Sequence, residues 1–173
     1  EINHTGDDRK DIQAAIDAAN PGDIIQLGDY NYTNVSNVNI TKDLIIKGNE
    51  NTVINSANDG NAIFNIPSIE NGGPSDVSID GIKFNVANGD VVVLANADNG
   101  TDPLSIETAK INIVNNTIDL SNDDVVGESI TILELDSPRG VLAPTNEIKV
   151  NGNTIAAGVD PFKFDVTSAT NGS

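Results

Sequence analysis

A chain of 173 residues with 38% hydrophobic residues suits one domain with a real apolar core. With only 3% aromatic residues, that core falls to Ile, Val, Leu and Ala, a set rich in the branched side chains that suit strands. A formal charge of −17 and a pI near 4.1 argue against binding phosphate backbones or anionic lipid, and the lack of Cys excludes disulfides and thiolate metal sites.

The acidity fits a solvated exterior, a salt-rich environment or weak divalent-cation binding alike. No stretch approaches the roughly 20 apolar residues of a membrane span. The absence of Met, including an initiator, is expected of a chain that is processed or excised from something longer, as after removal of a signal peptide.

Taken in chain order, the first element is a short helix. Ile12, Ala15, Ile16 and Ala19 recur at spacings of three and four, which places them on one face. Asp7 or Asp8 caps its start and Pro21-Gly22 stops it. A helix of two to three turns is not stable alone, so it is expected to dock over the open end of a strand stack. Residues 1–22 therefore read as an N-terminal segment and capping helix. His4, the only histidine, lies outside that helix without a clustered partner and reads as an exposed residue.

From Asp23 the period becomes strand-like, with short apolar runs between clusters of Asn, Asp, Gly and Ser. Asn51-Thr52-Val53, Asn116-Thr117-Ile118 and Asn153-Thr154-Ile155 share a tripeptide, and Ile82-Lys83-Phe84 stands where a further copy belongs, at intervals of 31, 34 and 37 residues. An apolar-x-apolar pair precedes each copy: Leu44 with Ile46, Val77 with Ile79, Ile111 with Ile113, and Ile148 with Val150. The first copy carries two extra residues around Asn49-Glu50. Because the two apolar pairs of a repeat are offset by an odd number, a straight strand would aim them at opposite faces. A sharp turn at Asp80-Gly81, recurring at Asn115 and Gly152, brings both inward.

A further apolar run follows each corner, giving about three strands per repeat and four to five coils over residues 23–166. Stacked at one corner, Asn51, Asn116 and Asn153 are expected to turn inward as a structural ladder that Ile82 interrupts, each bond adding on the order of 1 kcal/mol. The polar residues 167–173 read as a tail or linker.

The run from Asp11 to Ala19, followed by Asn20-Pro21-Gly22-Asp23-Ile24-Ile25-Gln26-Leu27, resembles the N-terminal cap and first coil of the pectate-lyase-like superfamily. The resemblance implies an all-β fold, a right-handed parallel β-helix (solenoid) with a short N-terminal capping α-helix. The acidic, Asn-rich, Cys-free wording is also similar to the adhesin-like surface proteins of methanogenic archaea, which implies an archaeal cell-surface protein.

Many such folds cleave acidic polysaccharides, and the lyases of the superfamily pair calcium-binding carboxylates with a basic residue. Here the only arginines are Arg9, on the cap helix, and Arg139, in a turn. Asp123-Asp124 is the nearest acidic pair for hydrolysis, but adjacent strand residues point to opposite faces. Asp98-Asn99-Gly100-Thr101-Asp102 has the composition of a calcium loop without the spacing of an EF-hand. No catalytic residue, metal site or cofactor is assigned.

Of seven Asn-x-Ser/Thr sequons, Asn31, Asn34, Asn39 and Asn99 are the candidate glycosylation sites, with Asn115 set aside at a corner. The expected function is a non-enzymatic extracellular module, adhesin-like, presenting one face to cell-surface glycans or proteins. A structural subunit of a surface layer or filament, assembled from further copies of itself, is the alternative. A carbohydrate-active enzyme with an incomplete site is the third.

Overall fold

The computed structural model describes residues 2–67, 72–87, 89–96, 110–120, 130–137, 147–155 and 159–166. Asp7 takes the N-cap position, accepting a hydrogen bond from the Lys10 N–H at 3.2 Å, and α1 runs Asp8–Ala18. Ile12 and Ile16 are fully buried, with Ala15 and Ala19 packed against the same core. The last turn of α1 holds no basic residue. Lys42 serves that end from outside, donating to the carbonyls of Ile16, Asp17 and Ala19 at 3.2, 2.6 and 2.8 Å. Arg9 ties the helix down through the carbonyls of Ser36 and Asn37.

Strands follow in sets of three. β1 (Ile24–Gln26), β2 (Asn31–Val35) and β3 (Val38–Asn39) form the first set. β4 (Leu44–Lys47), β5 (Val53–Ser56) and β6 (Ala62–Ile66) form the second, and β7 (Asp76–Asp80), β8 (Lys83–Val86) and β9 (Val91–Asn96) the third. The fourth is β10 (Lys110–Val114), β11 (Thr117–Leu120) and β12 (Ile130–Ser137); the last is β13 (Glu147–Asn151), β14 (Thr154–Ile155) and β15 (Val159–Val166). Each strand pairs in parallel with the strand three further along the chain. The result is three five-stranded sheets, β1-β4-β7-β10-β13, β2-β5-β8-β11-β14 and β3-β6-β9-β12-β15. α1 packs against β2 and β3.

The register explains the apolar-x-apolar pairs. Leu44, Val77, Ile111 and Ile148 share one register position of the first sheet, and Ile46, Ile79, Ile113 and Val150 share the position two residues on, where Ile46, Ile79 and Ile113 are fully buried. One core cluster draws Ile46, Ile79 and Ile113 from that sheet, Ile54, Phe84 and Ile118 from the second, and Phe64, Val93 and Ala95 from the third, together with Ile12 and Ile16 of the helix. Burying each such Ile or Phe contributes roughly 1.5–3 kcal/mol relative to exposure.

Between the first and second sheets the chain bends where parity requires it. Gly81, Asn115 and Gly152 take left-handed φ values of 70°, 56° and 69°. Gly48 occupies the same register position, where a Cβ would lie 2.7 Å from both the Gly81 carbonyl oxygen and Ile82 Cγ1. No larger residue fits there without moving the neighbouring strand layer.

The corner also corrects the Asn row. Lys83 pairs with Val53 and with Thr117, so the position before it holds Thr52, Ile82, Asn116 and Asn153 in successive layers. Asn51 falls outside this row. Gly48 aligns with Gly81 and Thr52 with Ile82, so the first corner carries Asn49, Glu50 and Asn51 as additions, one more than the tripeptide alignment allows. Asn51 is exposed, its side chain donating to Asp29 at 3.1 Å, while Thr52 is fully buried and donates to the Gly28 carbonyl at 2.9 Å.

Asn116 and Asn153 turn inward. Asn116 Oδ1 accepts the Ile82 N–H at 2.9 Å and its Nδ2 donates to the Ile79 carbonyl at 3.0 Å. Asn153 repeats this one layer on, with the Asn116 N–H and the Ile113 carbonyl, both at 2.8 Å. Asn side chains also bond from strand to strand along the second sheet, Asn85 donating to Asn55 and Asn55 to Asn31, although Asn31 lies opposite Val53 in register.

Candidate functional site

Two places combine exposed or unsatisfied groups with a defined shape. The first is the outer face of the first sheet, where Ile45, Ser78, Asn112 and Lys149 follow Ile24 in one row. Ile24 is 58% exposed and Ile45 36%, unusual for isoleucine among neighbours this polar. A groove of about 390 Å3 crosses this face, lined by Gly22, Asp43, Leu44, Ile45, Asp76, Ser78 and Asn112.

Asp43 stands at the rim with its carboxylate fixed. Ser75 donates to it through its N–H at 2.7 Å and its hydroxyl at 2.9 Å, and the Asp76 N–H adds a third bond at 3.1 Å. Partial burial pushes its carboxyl upward, but these donors outweigh burial and hold it below the usual aspartate range. Its stabilising contribution is therefore full above the unfolded value near 4 and is lost as pH falls through the lower folded value. Asp43→Asn is expected to lower the denaturation midpoint at pH 7. The gap between variant and wild type should close on acidification toward pH 2, and a gap independent of pH would remove this assignment.

Several other acidic residues are likewise structural. Asp90, only 1% exposed, accepts the Gly60 N–H at 2.7 Å on one oxygen and the Asn58 N–H at 2.9 Å on the other. Asp59 accepts the Ser36 hydroxyl at 2.8 Å. Part of the acidity thus binds one strand layer to the next.

The second place lies at the N-terminal end, where α1 meets β2. Asp8 and Asp11 stand at i and i+3 on the first turn, so their side chains share a face. Both are buried, with exposures of 6% and 5%. Asp8 Oδ2 accepts the Thr33 N–H at 2.6 Å and its hydroxyl at 3.2 Å. Asp11 accepts the Thr5 N–H at 2.7 Å on one oxygen and the Thr5 hydroxyl on the other. The Thr5 hydroxyl first, then its N–H, holds the Asp11 carboxyl below its ordinary range against the opposing effect of burial.

The sequence leaves His4 without a clustered partner; the fold supplies two. His4 is exposed, as expected, yet one donor atom each from His4, Asp8 and Asp11 lie within 4.8 Å of one another. Its ring stacks on Tyr30 with centroids 3.8 Å apart and lies 5.7 Å from Tyr32, and the two tyrosines meet edge to face at 4.9 Å. The negative charge of Asp8 is the main cause raising the Tyr30 phenol, whereas burial is the main cause for Tyr32. Asp8 Oδ1 and the Tyr32 hydroxyl are both buried and make no hydrogen bond of ordinary geometry. The signal in the sequence was the interval from His4 to Asp8 and Asp11, unreadable until the chain before α1 folded back beside the helix.

Of the sequons, Asn31, Asn34, Asn39 and Asn115 are exposed, and Asn115 spends its amide on Asp80 at 2.9 Å. Asn99 with the 98–102 loop, Asp123, Asp124, Arg139 and the 167–173 segment lie outside the described residues. Among the described residues no helix is long and apolar enough to cross a membrane.

The described residues define a protein built mainly of parallel β-sheets with one short helix. No protein-family model, curated protein or solved structure matches the chain.

Proposed function

We propose that the three sheets are the walls of one right-handed parallel β-helix, and that the chain is an adhesin-like module of an extracellular or cell-surface protein. The strand order supports the winding: every strand pairs with the third one on, and a parallel crossover within one sheet is right-handed in about 98% of proteins. The cap helix and first strands carry the residues that resemble the pectate-lyase-like superfamily, which agrees with this reading.

The outer face of the first sheet is the contact surface, and uncharged cell-surface glycans are its partner. The observation that carries this is the groove, which combines an apolar floor at Ile45 with the polar side chains of Ser78, Asn112 and Asp76. Sugars offer both an apolar C–H face and rows of hydroxyls, so a flat mixed surface suits them. A net charge of −17 disfavours acidic sugars.

The test is a glycan array probed with the whole chain, followed by titration of the best ligand against Ile45→Glu and Asn112→Ala. Both variants change exposed or half-buried positions and should fold. Binding to neutral glycans that weakens at least about tenfold in Ile45→Glu is expected, since a charge on the floor must be desolvated by the sugar. An array without ligands, or binding indifferent to both substitutions, would remove the proposal.

A further inference from the structure

Asp90 shows how this fold accommodates a buried carboxylate: each oxygen meets a backbone N–H. Asp8 breaks that pattern. One of its oxygens is saturated by Thr33, while the other is buried without a hydrogen bond of ordinary geometry, the Tyr30 phenol being a further side-chain donor that approaches the carboxylate, although the residue is only 6% exposed. Asp11, equally buried, stands beside it, and two carboxylates this close repel each other unless something positive lies between them.

The basic residues nearby are committed elsewhere. Lys10 pairs with Asp7 at 2.7 Å, and Arg9 spends its guanidinium on the carbonyls of Ser36 and Asn37. Among the described residues no lysine or arginine forms an ion pair with Asp8 or Asp11. The His4 imidazole, held on the Tyr30 ring, comes within 4.8 Å of both carboxylates without forming an ion pair with either.

We propose that His4, Asp8 and Asp11 bind a divalent transition-metal cation, with Asp8 Oδ1 as a principal ligand. One nitrogen and two carboxylates match zinc or its first-row neighbours, whereas calcium and magnesium favour all-oxygen shells. Metal–ligand bonds of about 2.0–2.2 Å place neighbouring donors roughly 3–3.5 Å apart. The spread of up to 4.8 Å therefore requires a small closure, which His4 can supply because it lies on the exposed segment before α1. Thr5 and Thr33 already orient the carboxylates, as outer partners do in metal sites. The cation would pin residues 2–5 to α1 and β2, locking the cap over the strand stack. This holds whether or not the sheet face binds sugar.

The experiment is isothermal titration of the full, chelator-treated chain with Zn2+, repeated with Ca2+, alongside thermal melts with and without Zn2+. One high-affinity Zn2+ per chain, a raised melting temperature and no comparable Ca2+ site are expected. His4→Ala, a change at an exposed residue, should keep the fold and weaken that Zn2+ site by at least about tenfold; the near-isosteric Asp8→Asn should do the same. Absence of a stoichiometric Zn2+ site would overturn the proposal. So would a site that survives His4→Ala unchanged, since the metal would then sit on surface carboxylates, or Ca2+ binding as tight as Zn2+. Should Asp8→Asn fail to fold, the His4→Ala titration decides alone.

Discussion

Phe84→Ala is expected to destabilise the protein by about 3–5 kcal/mol, the range for deleting a buried aromatic ring. Phe84 is fully buried, stands in register between Ile54 and Ile118, and meets Phe64 edge to face with centroids 6.3 Å apart. The hole cannot collapse easily, because backbone hydrogen bonds to the layers on both sides hold strands about 4.8 Å apart. Chemical denaturation of wild type, Phe84→Leu and Phe84→Ala should give a graded series, with the leucine variant retaining much of the lost stability. A loss below about 1 kcal/mol for alanine would mean that the ring does not fill an enclosed space.

The second large effect belongs to Asn116. Its side chain is 1% exposed and completes the hydrogen bonding of the Ile82 N–H and the Ile79 carbonyl, two backbone groups of the preceding strand layer. Asn116→Ala strips both partners. An unmet buried polar group costs about 1–3 kcal/mol, so a loss of about 2–5 kcal/mol is expected. Asn51→Ala, by contrast, changes an exposed position and should stay within about 0.5 kcal/mol. Denaturant midpoints of the two variants, taken together, test the corner register: equal losses would mean that Asn51 belongs in the inward row after all.

That register shows where reading the residues stopped short. Asn51-Thr52-Val53 and Asn116-Thr117-Ile118 match letter for letter, yet Val53, not Thr52, lies opposite Lys83 and hence in the row of Thr117. Letter identity is a weak guide because Thr and Asn are both small and polar, and both can bond to backbone from a corner. What decides the register is the number of residues spent on the first bend, and that depends on Asn49 and Asp29 bonding across the corner. The run of bonds through Asn31, Asn55 and Asn85 is hidden for a similar reason, since its members share no flanking motif.

The chemistry at the helix end was further from reach. His4, Asp8 and Asp11 are near neighbours in sequence, but spacing says nothing of where an imidazole ahead of the first helical turn will point. Tyr30 and Tyr32, from β2 and the turn before it, provide the surface on which it settles. Lys42 as a cap for α1 is hidden in the same way, being supplied by a loop after β3.

By itself the sequence determined the short N-terminal helix, the succession of short parallel strands, the inward apolar rows and the bends at Gly81, Asn115 and Gly152. These follow from periodicity and backbone sterics, which act over a few residues and are written locally. Only the tertiary structure decided which polar side chains meet across layers: the Asn116 and Asn153 bonds, the fixed carboxylates of Asp43 and Asp90, and the grouping of His4 with Asp8 and Asp11. Those contacts join residues brought side by side by strand pairing and by the docking of the helix, which spacing along the chain does not specify.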